Sequence, residues 1–171
     1  SKLWWGIPRN VFYNIYALID ISAWCAVYLV IFARERIIGM LIPIFWAGLM
    51  ILKIWEISAY GMHVFSTNAM TFFCAGCVLF SIAYFRTTLK ADYYDLKTDF
   101  GFWICCASIS FHPILLVNLL TIADMEYWDD GSSITTFDVL QFIAITFYNL
   151  FICFAFVLSY YRFRKSCRRT L

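Results

Sequence analysis

The sequence predicts an all-α protein, a polytopic transmembrane helical bundle of about five spans that makes up a single multi-pass membrane domain over residues 1–171. Three observations carry that expectation. Of the 171 residues, 63% are hydrophobic and 14% charged, where soluble domains run near ~45–50% and ~25%. The apolar residues collect in five stretches, each close to the ~20 residues with which a helix crosses a hydrocarbon core of ~30 Å. The basic residues gather at alternate ends of those stretches, as positive-inside topology requires.

The spans are expected at 11–32, 37–60, 64–85, 102–122 and 139–163. Pro8 and a capping Asn10 open the first. The charged turn Ala33-Arg34-Glu35-Arg36 closes it and makes spans one and two an antiparallel hairpin. Gly61-Met62-His63 is the least marked boundary, so spans two and three could form one irregular hairpin. A polar loop from Arg86 to Gly101 precedes span four. An acidic loop, 123–138, precedes span five, whose helix Thr135 or Thr136 can cap, with Asp138 in the first turn. Trp4, Trp5, Tyr60, Tyr84, Trp103, Tyr127, Trp128, Tyr160 and Tyr161 fall near span ends, where amphipathic rings settle at the lipid–water interface. The first span is too long and too aromatic for the core of a signal peptide.

Orientation follows from charge. If the turn at 33–36 faces inward, so do the 86–101 loop and the C-terminal tail. That side then holds Arg34, Arg36, Arg86, Lys90, Lys97, Arg162, Arg164, Lys165, Arg168 and Arg169, against Lys2 and Arg9 opposite. The N-terminus is therefore expected outside and the C-terminus in the cytoplasm, or the matrix if the membrane is mitochondrial. Basic residues that flank spans instead of forming a soluble basic face argue against nucleic acid as a partner. The expected partners are the lipid bilayer and other membrane-protein subunits.

Ionisable side chains inside a span cost roughly 2.5–3.5 kcal/mol at its centre and tend to face other helices or water. Three stand out, Asp20, Lys53 and Glu56. Tyr13 and Tyr16 share a helical stripe with Asp20. Trp46, Leu49 and Tyr60 extend the stripe of Lys53 and Glu56, which can meet at i,i+3. In the hairpin, residues whose numbers sum to about 70 are level at 1.5 Å per residue, so Asp20, Lys53 and Glu56 are candidates for one buried charge network. His112, before Pro113, is a candidate proton or hydrogen-bond site. His63 lies roughly 15 Å away in depth, too far for both to ligate one haem iron.

Milder stripes are Thr67, Thr71, Cys74, Val78 and Ser81 on span three; Cys105, Ser108 and His112 on span four; and Gln141, Thr146, Asn149 and Cys153 on span five. Small and hydroxylated residues let helices approach in lipid. None of the seven cysteines lies in an outer loop, so no disulfide framework is expected. Cys74-x-x-Cys77 reads as packing inside an apolar helix, and Cys167, beside a basic cluster, is a candidate for S-palmitoylation. The acidic residues of the 86–101 loop, Asp92, Asp95 and Asp99, read as an amphipathic surface segment.

No metal-protease, nucleophile-elbow or phosphate-loop motif occurs, and no catalytic residue, cofactor or metal is expected. Three functions remain, of which a membrane-embedded redox or lipid enzyme using His112 and the cysteines comes last. The first is a non-catalytic accessory or scaffold subunit of a larger membrane protein complex. The alternative is a small ion or proton-coupled transporter or channel that uses Asp20, Lys53 and Glu56.

Overall fold

A computed structural model of the chain describes residues 9–64, 66–88, 99–125 and 136–167. It has five helices, α1 (Arg9–Ile31), α2 (Arg36–Tyr60), α3 (Thr67–Thr88), α4 (Phe100–Met125) and α5 (Thr136–Cys167). All five are long and apolar enough to cross a membrane, and no strand occurs among the described residues. The protein is an all-α, multi-pass integral membrane protein. The bounds of α1 and α2 lie within two residues of the expected spans, α3 is displaced three residues toward the C-terminus, and α4 and α5 overrun their expected spans by two to four residues at each end, since polar residues at a span end can continue a helix into the headgroup region without leaving backbone groups unpaired in lipid. The chain divides into two compact units, Ser1–Gly76 and Cys77–Leu171, described separately below.

In the first unit, α1 and α2 form the hairpin. The reversal is short: the Glu35 amide donates to the Phe32 carbonyl at 2.9 Å, and the Gly39 amide to the Glu35 carbonyl at 2.8 Å. Ala17, Ile21, Trp24, Cys25 and Tyr28 are buried along one face of α1, and Phe32 is buried just beyond its end. Their spacing of three and four residues is that of a helix-packing seam. Within it, Trp24, Tyr28 and Phe32 form an aromatic ladder with ring centroids 5.6 and 6.5 Å apart. The buried face of α2 carries Ile42, Leu49, Lys53 and Glu56. Pro43 lies within α2 without ending it.

The stripes that carry the ionisable residues are not uniformly buried. Tyr13 and Tyr16, on the stripe of half-buried Asp20, are exposed. Trp46 and Tyr60 are exposed too, although Leu49 from the same predicted stripe is buried. Rings with a polar tip are as well placed toward lipid near an interface as toward protein, so their presence did not mark the packing side. On α3, the first unit buries Ala69, Met70, Phe73 and Cys74. There Gly76 abuts the Phe45 ring so closely that a methyl group at that position would overlap it.

In the second unit, α4 and α5 pack antiparallel through an aromatic ladder. Phe100 meets Phe156 at 5.8 Å, Trp103 meets Phe154 at 4.6 Å and Phe111 meets Tyr148 at 4.8 Å. Among the described side chains of α5, Ala144 and Ala155 are buried. The polar stripe expected to pack, Thr146, Asn149 and Cys153, is exposed instead, and the side chain of Gln141 lies outside the described residues. The rings of α5 pack against α4 and its small alanines are buried, while the polar stripe faces outward.

The α4 N-terminus is capped by Asp99, which accepts from the Gly101 amide at 3.2 Å and from the Tyr84 hydroxyl. A side-chain oxygen on an orphan amide of the first turn is the usual N-cap arrangement. Asp99 thus has a capping role that its sequence setting, among Asp92 and Asp95, did not indicate. Those two residues, Thr135 and the side chains of Thr136 and Asp138 lie outside the described residues.

Candidate functional site: a polar clamp around Asn14

The most developed polar cluster lies in the first unit, and its centre is a residue the charge-based reading passed over. Asn14 has a relative exposure of 0%. Its Nδ2 donates to the Val64 carbonyl at 2.8 Å and to the Met62 carbonyl at 3.0 Å. Its Oδ1 accepts from Lys53 Nζ at 2.9 Å and from the Ser66 amide at 3.2 Å. An asparagine amide has two donor hydrogens and two acceptor lone pairs, so all four positions are used.

The backbone that Asn14 holds is the connection between α2 and α3. Gly61 ends α2 at φ +81°, with its amide bonded to the Ile57 carbonyl at 2.8 Å. Glycine adopts this left-handed region without the steric penalty of a Cβ. Beyond it the carbonyls of Met62, His63 and Val64 have no helical partners. Asn14 takes the first and third, and Asn10 Nδ2 donates to the His63 carbonyl at 2.6 Å. Asn10 was expected to cap α1. It lies one residue inside that helix and turns its side chain to the connector instead. The break at Gly61 therefore makes spans two and three separate helices, and two asparagines one turn apart on α1 occupy it.

Glu56 completes the cluster. Its two carboxylate oxygens accept from the backbone amides of Asn68, at 3.1 Å, and Ala69, at 3.2 Å. These are the second and third residues of α3, where amides have no intrahelical acceptor. A carboxylate there satisfies both and also sits at the positive end of the helix dipole. The Glu56 charge acts electrostatically on Lys53 one turn earlier. Lys53 is 0% and Glu56 4% exposed, and each has a partner geometry that buried ions require.

Asp20 is placed differently. It is half-buried on α1, and its electrostatic neighbours are the Tyr16 hydroxyl and the Cys74 thiol. The structure brings Lys53 and Glu56 together around Asn14 and leaves the Asp20 carboxylate outside that set of hydrogen bonds.

His112, in the second unit, is 1% exposed. Its Nδ1 lies 3.0 Å from the Ser108 carbonyl and 3.1 Å from Ser108 Oγ, while that hydroxyl donates to the Cys77 carbonyl at 3.4 Å. One assignment fits all three contacts, with the proton on Nδ1 shared between the two Ser108 oxygens. Ser108 thus orients the ring and ties α4 to α3. Among the described residues no group of three His, Cys, Asp or Glu side chains converges as a metal site would require. The cysteines described, Cys25, Cys74, Cys77, Cys105, Cys106 and Cys153, are free thiols.

Asn14 could have been found from the hairpin register, which places it opposite the Lys53–Glu56 stretch. It carries no charge, so it does not stand out as a costly group inside a span, and most of its partners are backbone atoms with no signature in the sequence. Comparison with protein-family models, with curated proteins and with solved structures finds no match.

Proposed function

We propose that this protein is a non-catalytic accessory or scaffold subunit of a larger membrane protein complex, with its N-terminus outside and its C-terminus on the cytoplasmic or matrix side. The observation that carries the reading is the use made of Lys53 and Glu56. Both buried charges are engaged in holding the chain's own backbone, one through Asn14 and the other on the α3 amides. Ion pathways need groups whose partners exchange; groups hydrogen-bonded to the protein's own backbone or to a fully engaged side chain such as Asn14 are suited to rigidity. The apolar surface is consistent with this, since large residues such as Ile37, Ile44, Ile51, Phe142 and Phe156 are exposed along the spans and are free to meet lipid or other helices.

Extraction from the native membrane in a mild detergent, followed by native mass spectrometry, tests the proposal. A heteromeric assembly well above the 20.1 kDa of this chain is expected. A monodisperse monomer that supports ion flux in proteoliposomes, and loses it on Asp20→Asn, would establish the transporter alternative instead. Orientation is tested by introducing single cysteines at Thr88 and at Leu171 and labelling sealed vesicles from one side. The two sites are expected to react from the same face.

A further inference from the structure

The hydrogen-bond network that accounts for Lys53 and Glu56 leaves Asp20 without a comparable role. Asp20 is the twelfth residue of α1 and lies roughly 16 Å from either end of that helix at 1.5 Å per residue, so it sits at mid-membrane depth. Among the described residues its carboxylate makes no ion pair and no hydrogen bond. Its neighbours are a phenol and a thiol. Among the described residues, Lys53 is the one lysine or arginine in the interior of a span; Arg36 and Arg86 lie at helix ends, and His112 belongs to the second unit. Lys53 is fully buried and bonded to Asn14.

Asp20 is half-buried at the edge of the open face of α1. Ala17, Ile21, Trp24 and Tyr28 pack inward, while Tyr13 and Tyr16 on the Asp20 stripe are exposed at 39% and 56%, Ala23 is exposed as well and Val27 is half-buried. Tyr13, Tyr16, Asp20, Ala23 and Val27 recur at the three- and four-residue spacing of a helix seam. Ala23, beside the carboxylate, is small enough to let a second helix backbone approach. A mid-membrane carboxylate on such a seam would be stabilised by an opposite charge on a neighbouring helix. A second copy cannot supply it, because its own Lys53 is enclosed.

We propose that the Tyr13–Tyr16–Asp20–Ala23 face of α1 docks a transmembrane helix of another protein that carries a lysine or arginine at the depth of Asp20. The basic head pairs with the carboxylate, and the seam packs along the remainder of the partner helix. This inference rests on the accessory-subunit reading and specifies the chemistry of one contact within it.

The test uses the purified full chain, donor-labelled, in phosphatidylcholine vesicles. The probes are acceptor-labelled polyleucine transmembrane peptides with uncharged ends, bearing one lysine at the centre, one lysine a turn from an end, or none. Energy transfer to the central-lysine peptide is expected at a peptide-to-lipid ratio at least tenfold lower than for the all-leucine peptide, with the off-centre peptide between them. Asp20→Asn should remove the preference, Asp20→Glu should retain it, and Asp20→Lys should shift it to a peptide with a central glutamate.

Equal transfer to all three peptides by the wild-type chain would overturn the proposal, and that comparison needs no variant to fold. So would a lysine preference that survives Asp20→Asn, or transfer between copies of the chain that Asp20→Asn abolishes. Failure of the peptide test beside a recovered native assembly would remove Asp20 from the contact and leave the accessory reading in place. A lysine preference in a chain that purifies from its membrane as a monomer would do the reverse.

Discussion

Asn14→Ala is the perturbation that most directly tests the clamp. It removes four hydrogen bonds at once and leaves behind two connector carbonyls, the Ser66 amide and one acceptor fewer for Lys53. Hydrogen bonds inside membrane proteins average roughly 0.6 kcal/mol, because the unfolded chain in lipid also finds partners. Four such bonds give about 2.4 kcal/mol at that average. The lysine bond is charge-assisted, a class worth about 1.5–3 kcal/mol. The expected loss is therefore roughly 3–5 kcal/mol, a large fraction of the ~5–15 kcal/mol by which folded domains exceed their unfolded states.

Two companions isolate the cause. Asn10→Ala removes one exposed bond to the same connector and should cost about 0.5–1 kcal/mol. Asn14→Asp keeps acceptors for Lys53 and Ser66 but turns a carboxylate oxygen toward the Met62 and Val64 carbonyls, so it should also destabilise despite the added opposite charge near Lys53. Equilibrium unfolding in mixed micelles, followed by tryptophan fluorescence, measures all three. Hydrogen exchange should also show the Ser66 amide opening faster in both Asn14 variants. If Asn14→Ala fell within roughly 0.5 kcal/mol of the wild type, below even one ordinary hydrogen bond, the clamp would not be holding the hairpin to α3.

Three further outcomes follow from the same contacts. Glu56→Gln replaces one acceptor oxygen by an NH₂ group that faces a backbone amide; it should cost roughly 1–3 kcal/mol, as for a buried group left unsatisfied, and speed hydrogen exchange at Asn68 and Ala69 while sparing α5. Gly76→Leu forces a side chain into the Phe45 ring, with an overpacking cost of about 1–3 kcal/mol that Phe45→Ala should partly recover in a detergent melting experiment. Ser108→Ala removes the hydroxyl between His112 and the Cys77 carbonyl; a loss of about 1 kcal/mol and a shifted His112 Nδ1 resonance are expected, and an unchanged resonance would mean that Ser108 Oγ does not orient the ring.

The spans were legible because burial in lipid depends on the summed apolarity of some twenty residues, a quantity that single polar positions barely change. Helix faces were less legible, for a reason specific to lipid. Water would force Tyr13, Trp46 or Phe142 toward the protein or the interface, but hydrocarbon accepts an apolar ring on either side. Packing then depends on close fit, which small residues such as Ala144, Ala155 and Gly76 provide without any hydropathy signal. Lys53 and Glu56 stood out because charge in a span is rare. Asn14 did not, and neither did the role of Glu56, since both act on backbone amides and carbonyls that become available only where a helix has stopped.

That last point explains why the clamp is built where it is. A chain that reverses within reach of the bilayer exposes the final carbonyls of one helix and the first amides of the next, and lipid can satisfy neither. The carbonyls require donors and the amides require acceptors. In the first unit Asn10 and Asn14 supply the donors, Glu56 supplies the acceptor for α3, and Lys53 offsets the charge that Glu56 introduces while filling a lone pair on Asn14. Each charge is therefore accounted for by a need of the α2–α3 connection. Asp20 lies about nine ångströms along α1 from Asn14 at 1.5 Å per residue, beyond the helix ends that create such a need. Among the described residues a carboxylate at that depth has no helix end to serve, and the proposed contact with a basic partner helix would give it a role that the hairpin does not.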